Sequence, residues 1–309
     1  MNVQIGQLRC FLAVAERGHF TRAARDLGIA QPSVSALVRR LEADVGSQLF
    51  HRTKGRITLT AAGEALLPYA RRIVADVEAA ATQLHEVSAL GRGRIAIGAT
   101  PSLTASLVPP VLARFHASYP RIELALREAG SEDLVRMVEE GTVDVALVIL
   151  PVRHEILETQ ALLREELVLA VAPDHPLARR RAIAIADLRD VPLVMFREGY
   201  DLRSATEAAC RGAGFTPSVA IEGGEMDGVL RLTAAGLGAA IVPSIVVAQA
   251  TALRAVRIAR PALARTIGLA HRRDRPLSRA SQELVDTVRA LVRDRSWLAS
   301  APPGLSALQ

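Results

Sequence analysis

The chain has 309 residues, enough for about two domains of ordinary size. Half of the residues are hydrophobic and 23% are charged, which excludes a disordered chain. Basic residues exceed acidic ones by only six, but residues 1–60 hold nine basic and four acidic side chains and so carry five of those six charges. This concentration of positive charge predicts that the first part of the chain contacts a polyanion.

Simple features exclude several classes of protein. The first residues, MNVQIGQLRC, lack the basic and apolar regions of a signal peptide. The two cysteines lie 200 positions apart, which excludes a disulfide scaffold and a zinc site. The segment Leu232–Leu253 carries no formal charge, but Gly236, Gly238 and Pro243 interrupt it, so we interpret it as a helix, a glycine turn and a buried strand rather than a membrane span. A cytoplasmic protein without membrane contact is expected.

Residues 19–40, HFTRAARDLGIAQPSVSALVRR, have the spacing of a helix-turn-helix. An amphipathic helix precedes them and ends near Gly18. Thr21 can cap a short helix that Gly28 ends in the left-handed conformation, and Pro32 suits the first turn of the next helix. Counted from the phenylalanine, a small residue comes fifth, glycine ninth, and apolar residues fifteenth and eighteenth, as two closely crossing helices require.

The second of these helices is predicted to bury Val34, Leu37 and Leu41. Its opposite face is short and polar near the N-terminus and basic farther on, which suits a helix that enters a major groove N-terminus first. The residues of that face are Ser33, Ser35, Ala36, Arg39 and Arg40. After Gly46, two short strands are predicted to form a wing whose basic residues can reach the DNA backbone or minor groove, namely Arg52, Lys54 and Arg56. The alternative is a solvated basic face on a small helical domain.

Two segments of the chain closely resemble the LysR-type transcriptional regulators. They are LRCFLAVAERGHFTRAARDLGIAQPSVSALVRRLEADVGSQLFHRT and, after it, LTAAGEALLPYARRIV. The resemblance is dense through residue 90 and continues more loosely to about residue 295. It implies an α/β protein with an N-terminal winged helix-turn-helix, a long dimerisation helix and a two-lobed effector domain similar to periplasmic binding proteins. It also implies double-stranded promoter DNA, a small-molecule effector and RNA polymerase as partners, and no catalytic activity.

The resemblance also assigns base contacts to Gln31, Pro32 and Ser35, with Ala36 where many members have a longer polar residue. Together with the basic positions, the expected DNA-binding residues are Thr21, Arg22, Gln31, Pro32, Ser33, Ser35, Ala36, Arg39, Arg40, Arg52, Lys54 and Arg56.

From Thr60 the chain is predicted to be helical for nearly thirty residues. Apolar residues with alternating spacings of four and three form a narrow seam, as in a coiled coil: Leu66, Ala70, Ile73, Val77, Ala80, Leu84 and Val87. We therefore expect residues 61–90 to dimerise, and the dimers to pair, although packing against the chain's own domain stays open. A two-fold dimer of winged helices implies an inverted-repeat site with half-sites about one helical turn apart. Pro68 should bend the helix, and Gly91 and Gly93 should form a hinge.

Residues 91–309 alternate between strand and helix patterns, which predicts parallel sheets covered by helices. The spacing fits two lobes, the first formed by about residues 91–165 and 266–300 and the second by about residues 166–265. No catalytic or metal-binding constellation is present in the sequence. A nucleophile elbow and a dinucleotide-binding loop are absent, the seven histidines lack metal-ligand spacing, and we expect no cofactor.

The family resemblance places the effector contacts on Thr100, Ser102, Ser131, Arg197 and Met226. The serine at 131 can cap a helix that begins near residue 132. An arginine and helix N-termini favour an anionic ligand, a small carboxylate. FREGYDLR also resembles regulators of nitrogen assimilation, which implies a dicarboxylate such as 2-oxoglutarate or glutamate. The alternatives are that the hydroxyls only cap helices, that the arginine is a surface charge, and that the protein is a constitutive or architectural DNA-binding regulator.

Overall fold

A computed structural model describes residues 3–53, 56–86, 93–152, 154–248, 250–301 and 303–308. They form two compact units. The first contains the described residues up to position 90 together with Glu139–Thr142, and the second contains the remainder.

The first unit is a winged helix-turn-helix followed by a long helix. Its elements are α1 (Ile5–Arg17), α2 (Phe20–Leu27), α3 (Gln31–Val45), β1 (Phe50–Thr53), β2 (Arg56–Leu59) and α4 (Ala61–Glu86). Gly28 ends α2 with a φ of 66°, and its N–H donates to the carbonyl of Ala24, so the predicted left-handed turn is confirmed. Pro32 lies in the first turn of α3, also as predicted.

Two local predictions in this unit were wrong. The N-cap of α2 is His19, whose imidazole nitrogen accepts from the N–H of Thr21 at 3.3 Å, so the threonine lies inside the helix rather than before it. In α3 the fully buried residues are Val34, Val38 and Leu41, whereas Leu37 is only half-buried. A valine at 38 lies on the same helical face as the other two, and the wider apolar stripe of a core-facing helix includes it.

Helix α4 is 26 residues long and contains Pro68. Its first half packs on the core of the first unit through Ala70 and Val74, which are buried. The last four residues of the predicted dimerisation segment, 87–90, lie outside the described residues.

The second unit alternates strands and helices along the chain. Its first half contains β3 (Gly93–Ala99), α5 (Pro101–Thr104), α6 (Val108–Ser118), β4 (Ile122–Glu128), α7 (Ser131–Glu139), β5 (Val145–Leu150), β6 (Leu157–Val171) and β7 (Ala182–Ala184). Its second half contains β8 (Leu193–Phe196), α8 (Asp201–Gly212), β9 (Val219–Gly224), α9 (Met226–Ala234), β10 (Ala240–Pro243), α10 (Ser244–Val247), β11 (Arg254–Arg260), β12 (Ala264–Arg272), α11 (Arg279–Arg293), α12 (Arg295–Ser300) and β13 (Leu305–Ala307). Two short 3₁₀ helices flank β7, at Pro176–Arg179 and Ile185–Leu188.

This unit has a small sheet in which β8 and β9 are parallel, and a large sheet that is mixed rather than purely parallel. The strand order of the large sheet is β4-β3-β5-β12-β6-β11-β7, with β10 and β13 also paired to β6. Strands β3, β4 and β5 are parallel, but β12 runs antiparallel to both β5 and β6, and β10 and β11 run antiparallel to β6. The predicted parallel pairing is confirmed for β3 with β4 and β5 and for β8 with β9. It was wrong for the strands around β6 and β12, because these two carry the chain out of one half of the unit and back.

The buried hydrophobic clusters of this unit define two lobes. We call residues 93–166 and 264–308 the first lobe, which surrounds two of the clusters, and residues 167–263 the second lobe, which surrounds one. Strand β6 is 15 residues long and spans both. Its first part mixes buried and exposed residues and includes several charged ones, whereas its second part, from Leu167 onward, is apolar and buried.

The uncharged segment Leu232–Leu253 has the predicted form. Helix α9 ends at Ala234, a turn with Gly236 at a φ of 80° follows, and β10 is fully buried. No helix among the described residues combines the length and the apolar character needed to cross a membrane.

Candidate functional site

The exposed face of α3 carries the side chains that were predicted to bind DNA. Ser35 is half-buried, and the other six are exposed: Gln31, Pro32, Ser33, Ala36, Arg39 and Arg40. Short side chains lie on the first two turns and the two arginines on the third. Neither arginine has a carboxylate partner among the described residues, so both are available to an external anion.

The other predicted DNA contacts lie on α2 and the wing. Thr21 and Arg22 are exposed on the first turn of α2. Strands β1 and β2 form an antiparallel hairpin in which Arg52 opposes Ile57 and Arg56 opposes Thr53. Lys54, at the tip of the hairpin, lies outside the described residues.

An apolar stripe is exposed on α4. Tyr69, Ile73 and Val77 are 58%, 43% and 41% exposed, and their spacing of four places them along one side of the helix. The predicted seam is therefore divided, because Ala70 packs on the core of its own unit while Ile73 and Val77 face outward.

A small cavity lies where the two lobes of the second unit meet. We call it the interlobe cavity, and it is lined by Thr100, Pro101, Ser102, Gly130, Ile149, Tyr200, Asp201, Leu202 and Arg265. Residues 200–202 belong to the second lobe and the others to the first. Its free volume is about 10 Å³, which is close to what a single water molecule needs. A larger ligand can enter only if the lobes move apart.

A buried ion pair forms one wall of the interlobe cavity. The Arg265 side chain is 7% exposed and that of Glu165 is fully buried. The arginine donates through Nε to Glu165 Oε2 at 2.8 Å and through Nη2 to Ser102 Oγ at 2.9 Å. The other carboxylate oxygen of Glu165 accepts from the N–H of Ile245 at 2.9 Å. The guanidinium is thus held by Glu165 of β6 and Ser102 of α5, and the glutamate is held in turn by α10. Thr100 Oγ1 lies 3.4 Å from Ser102 Oγ.

A hydrogen bond joins the two lobes on the other side of the interlobe cavity. Ser131 Oγ donates to Asp201 Oδ2 at 2.8 Å and accepts from the N–H of Ile149 at 3.1 Å. Helix α7 begins at the serine itself, so this hydroxyl does not cap the helix as predicted but fastens one lobe to the other.

Tyr200, from the second lobe, also lines the interlobe cavity. Its ring stacks on Phe196 with centroids 4.7 Å apart, and burial raises the pKa of its hydroxyl. That hydroxyl is buried and has no hydrogen-bond partner among the described residues. A buried hydroxyl without a partner is costly, so this one is available to a bound water or ligand.

The structure does not bring Arg197 and Met226 to the interlobe cavity. Arg197 follows the end of β8, is 45% exposed and donates to Glu225 Oε1 at 2.6 Å, because the chain turns there and carries its side chain outward. Met226 is the first residue of α9, and its side chain is buried in the core of the second lobe.

Sequence reasoning missed Arg265, Glu165, Asp201 and Tyr200. One signal was available, because a glutamate and an arginine flank the two points at which the chain was predicted to pass between lobes. A charged residue beside a buried strand needs a partner of opposite charge, so the glutamate and the arginine could be expected to pair with each other.

The cysteines and metal-ligand residues offer no further site. Cys10 and Cys210 are both buried, and burial raises the pKa of each thiol. Within the described ranges, no group of three or more His, Cys, Asp or Glu side chains is arranged to hold a metal ion.

Two family models match the chain. "Bacterial regulatory helix-turn-helix protein, lysR family" matches residues 5–64, and "LysR substrate binding domain" matches residues 88–293. The first match covers the winged helix-turn-helix, and the second covers most of the second unit and more than half of the chain.

Individual proteins agree with these matches. The transcriptional dual regulator GltC of Bacillus subtilis is 31% identical over 289 residues, which cover 93% of this chain and 96% of GltC. The DNA-binding transcriptional dual regulator OxyR of Escherichia coli is 28% identical over 291 residues, which cover 93% of this chain and 95% of OxyR. The crystal structure of CbnR, a LysR family transcriptional regulator, is similar with a TM-score of 0.72 and 27% identity, covering 94% of this chain and 100% of CbnR. CbnR in complex with its target DNA is similar with a TM-score of 0.69 and 28% identity, covering 93% and 99%. The chain belongs to the LysR family of bacterial helix-turn-helix transcriptional regulators, and it is a DNA-binding regulator rather than an enzyme.

Proposed function

We propose that this regulator binds an inverted-repeat promoter site as a dimer and senses a small carboxylate in the interlobe cavity. Residues 1–60 bind DNA, residues 61–90 dimerise, and residues 91–309 take the effector and, in the cytoplasm, signal to RNA polymerase. The observation that carries the DNA-binding part is the exposed face of α3, where short side chains precede two arginines without carboxylate partners among the described residues.

The two ends of that face have different tasks. Gln31 and Ser35 are short enough for the helix to approach base edges, where they exchange hydrogen bonds, and Ala36 offers only an apolar contact such as one with a thymine methyl. Arg39 and Arg40 lie farther along the helix and bind phosphates, which fixes the register without reading sequence.

Arg39→Ala should weaken binding to specific and unrelated duplexes alike. Loss of one phosphate contact should reduce the slope of log affinity against log salt by about one. In contrast, Gln31→Ala or Ser35→Ala should change base preference, by about 1–3 kcal/mol at one position, more than overall affinity. Electrophoretic shift assays at several salt concentrations measure both effects.

Arg231→Ala is the control for this experiment. It removes one positive charge from an exposed position on α9, where the side chain is 79% exposed and pairs only with Asp227 among the described residues. The control should leave the salt slope unchanged. An unchanged slope in Arg39→Ala as well would contradict the phosphate contact.

The effector proposal is supported by the donors on the first-lobe side of the interlobe cavity. Arg265 uses Nε and Nη2 for Glu165 and Ser102, and its Nη1 has no hydrogen-bond partner among the described residues. Thr100 and Ser102 place two buried hydroxyls beside it. A guanidinium flanked by hydroxyls is suited to a carboxylate, which accepts several hydrogen bonds at once.

Thr100→Val should lower the affinity for a small carboxylate by about 10-fold to 100-fold, because a hydrogen bond to a charged group contributes roughly 1.5–3 kcal/mol. DNA affinity without effector should not change. Calorimetric titration with acetate, succinate, 2-oxoglutarate and glutamate measures the effect. Thr104→Val is the matched control, since Thr104 is the last residue of α5, the helix that begins directly after Thr100. Its hydroxyl is buried without a partner among the described residues, and it does not line the interlobe cavity. Heat from none of these ligands would exclude the carboxylate.

Peroxide sensing, which the names of several relatives suggest, is not part of the proposal. Reactive cysteines are exposed and have lowered pKa values. Both cysteines of this chain are buried and their pKa values are raised. A purely architectural role is also disfavoured, because a scaffold does not need a buried arginine, two buried hydroxyls and a tyrosine hydroxyl without a hydrogen-bond partner among the described residues around one cavity.

A further inference from the structure

The interlobe cavity contains one acidic side chain that the carboxylate proposal does not use. Asp201 is the first residue of α8, and its carboxylate does not accept a hydrogen bond from the backbone N–H groups of that helix. Its Oδ2 accepts from Ser131, and its Oδ1 has no hydrogen-bond partner among the described residues. No arginine or lysine forms an ion pair with it there, so its charge is open to a ligand.

In the described part of the chain, the charged residues that line the interlobe cavity are Arg265 and Asp201. Counted together with Glu165, the ion-pair partner of the arginine, they sum to one negative charge. Glu165, directly behind the arginine at 2.8 Å, neutralises it, whereas Asp201 has only the neutral hydroxyl of Ser131. A ligand that carries negative charge alone would therefore enter a site that repels it, and a positive group beside Asp201 would remove that penalty.

Polar groups on the second-lobe side can accept hydrogen bonds from a ligand. The hydroxyl of Ser131 is already used as donor and as acceptor, while the buried hydroxyl of Tyr200 has no partner among the described residues. Tyr200 and Asp201 are adjacent in the chain and both line the interlobe cavity, so an ammonium group can donate to each of them.

We propose that Asp201 makes the interlobe cavity selective for a small amino carboxylate, whose carboxylate binds Thr100, Ser102 and Arg265 and whose ammonium group binds Asp201. This inference rests on the proposed effector site and names the class of ligand for it. The same ligand bridges the two lobes, and its ammonium group replaces Ser131 as the hydrogen-bond donor to Asp201. Ligand binding and the separation of the lobes are thus coupled through Asp201.

Matched pairs of ligands test the proposal. An amino acid and its 2-oxo acid differ at one carbon, so glutamate with 2-oxoglutarate, aspartate with oxaloacetate, and alanine with pyruvate isolate the contribution of the ammonium group. In calorimetric titrations of the full-length protein, the amino member of each pair that binds should be at least tenfold tighter. Asp201→Asn should reduce that preference to less than about threefold, because the amide keeps the shape and an acceptor but loses the charge.

Two further variants separate selectivity from folding. Asp227→Asn removes a carboxylate at the same kind of position, the first turn of a second-lobe helix, but Asp227 is 78% exposed and outside the interlobe cavity, so the preference should not change. Ser131→Ala keeps the carboxylate of Asp201 and removes its neutral partner, so the preference should persist.

The outcomes distinguish this inference from the proposed function. If 2-oxo acids bind the wild type as tightly as their amino partners, or if Asp201→Asn leaves the preference unchanged, the selectivity is wrong and the carboxylate site stands. If no member of any pair binds, both are wrong.

Discussion

Ile73→Glu is expected to convert the protein from a dimer to a monomer and to weaken its binding to an inverted-repeat site by about 100-fold or more. The exposed stripe of Tyr69, Ile73 and Val77 gives the reason, since a coiled-coil partner would bury it. In a two-fold dimer the new carboxylate would be buried at two symmetry-related positions. Each winged helix would then bind its half-site alone and lose the gain from linked binding.

The measurement combines light scattering after size exclusion with electrophoretic shifts on full and half sites. Ile73→Leu keeps an apolar side chain of the same volume and should remain dimeric with full affinity. Leu237→Glu adds the same charge at another exposed apolar residue, in the turn before β10, and should also remain dimeric. A glutamate variant at 73 that keeps the dimer mass and its DNA affinity would show that the stripe is not the interface.

The helix-turn-helix was predictable because its rules are local. Gly28 takes the left-handed conformation that ends α2, and Pro32 lies in the first turn of α3 four residues later. The end of one helix and the start of the next can therefore be inferred from a short window. The errors there were also local. A histidine rather than the following threonine accepts the capping hydrogen bond, and the buried residue of α3 is Val38 rather than its neighbour Leu37.

The effector site was only partly predictable because it is assembled from distant parts of the chain. Thr100 and Ser102 could be placed at a strand end from sequence, and they line the interlobe cavity. Arg265 comes from the strand that returns to the first lobe, 100 residues after its partner Glu165, so no sequence window contains both. The family resemblance favoured Arg197, but the local pattern does not reveal that its side chain turns outward to Glu225.

The ion pair of Glu165 and Arg265 gives the second large expected effect. Arg265→Met should lower the free energy of unfolding of the second unit by about 3–5 kcal/mol, because it leaves a fully buried carboxylate with the N–H of Ile245 as its one remaining donor among the described residues. Trp297, the single tryptophan of the sequence, packs on the core of the first lobe, so its fluorescence in a urea titration reports this unit.

Two comparisons assign that loss to the isolated charge. Adding Glu165→Gln to Arg265→Met removes the charge and keeps an oxygen for the N–H of Ile245, so the double variant should regain about 2 kcal/mol or more over the single one. Arg257→Met breaks the neighbouring pair with Glu166, in which the arginine is 60% exposed, and should cost at most about 1 kcal/mol. Equal losses in Arg265→Met and Arg257→Met would mean that water reaches Glu165. The wall of the interlobe cavity would then be too open to hold a carboxylate by a buried guanidinium.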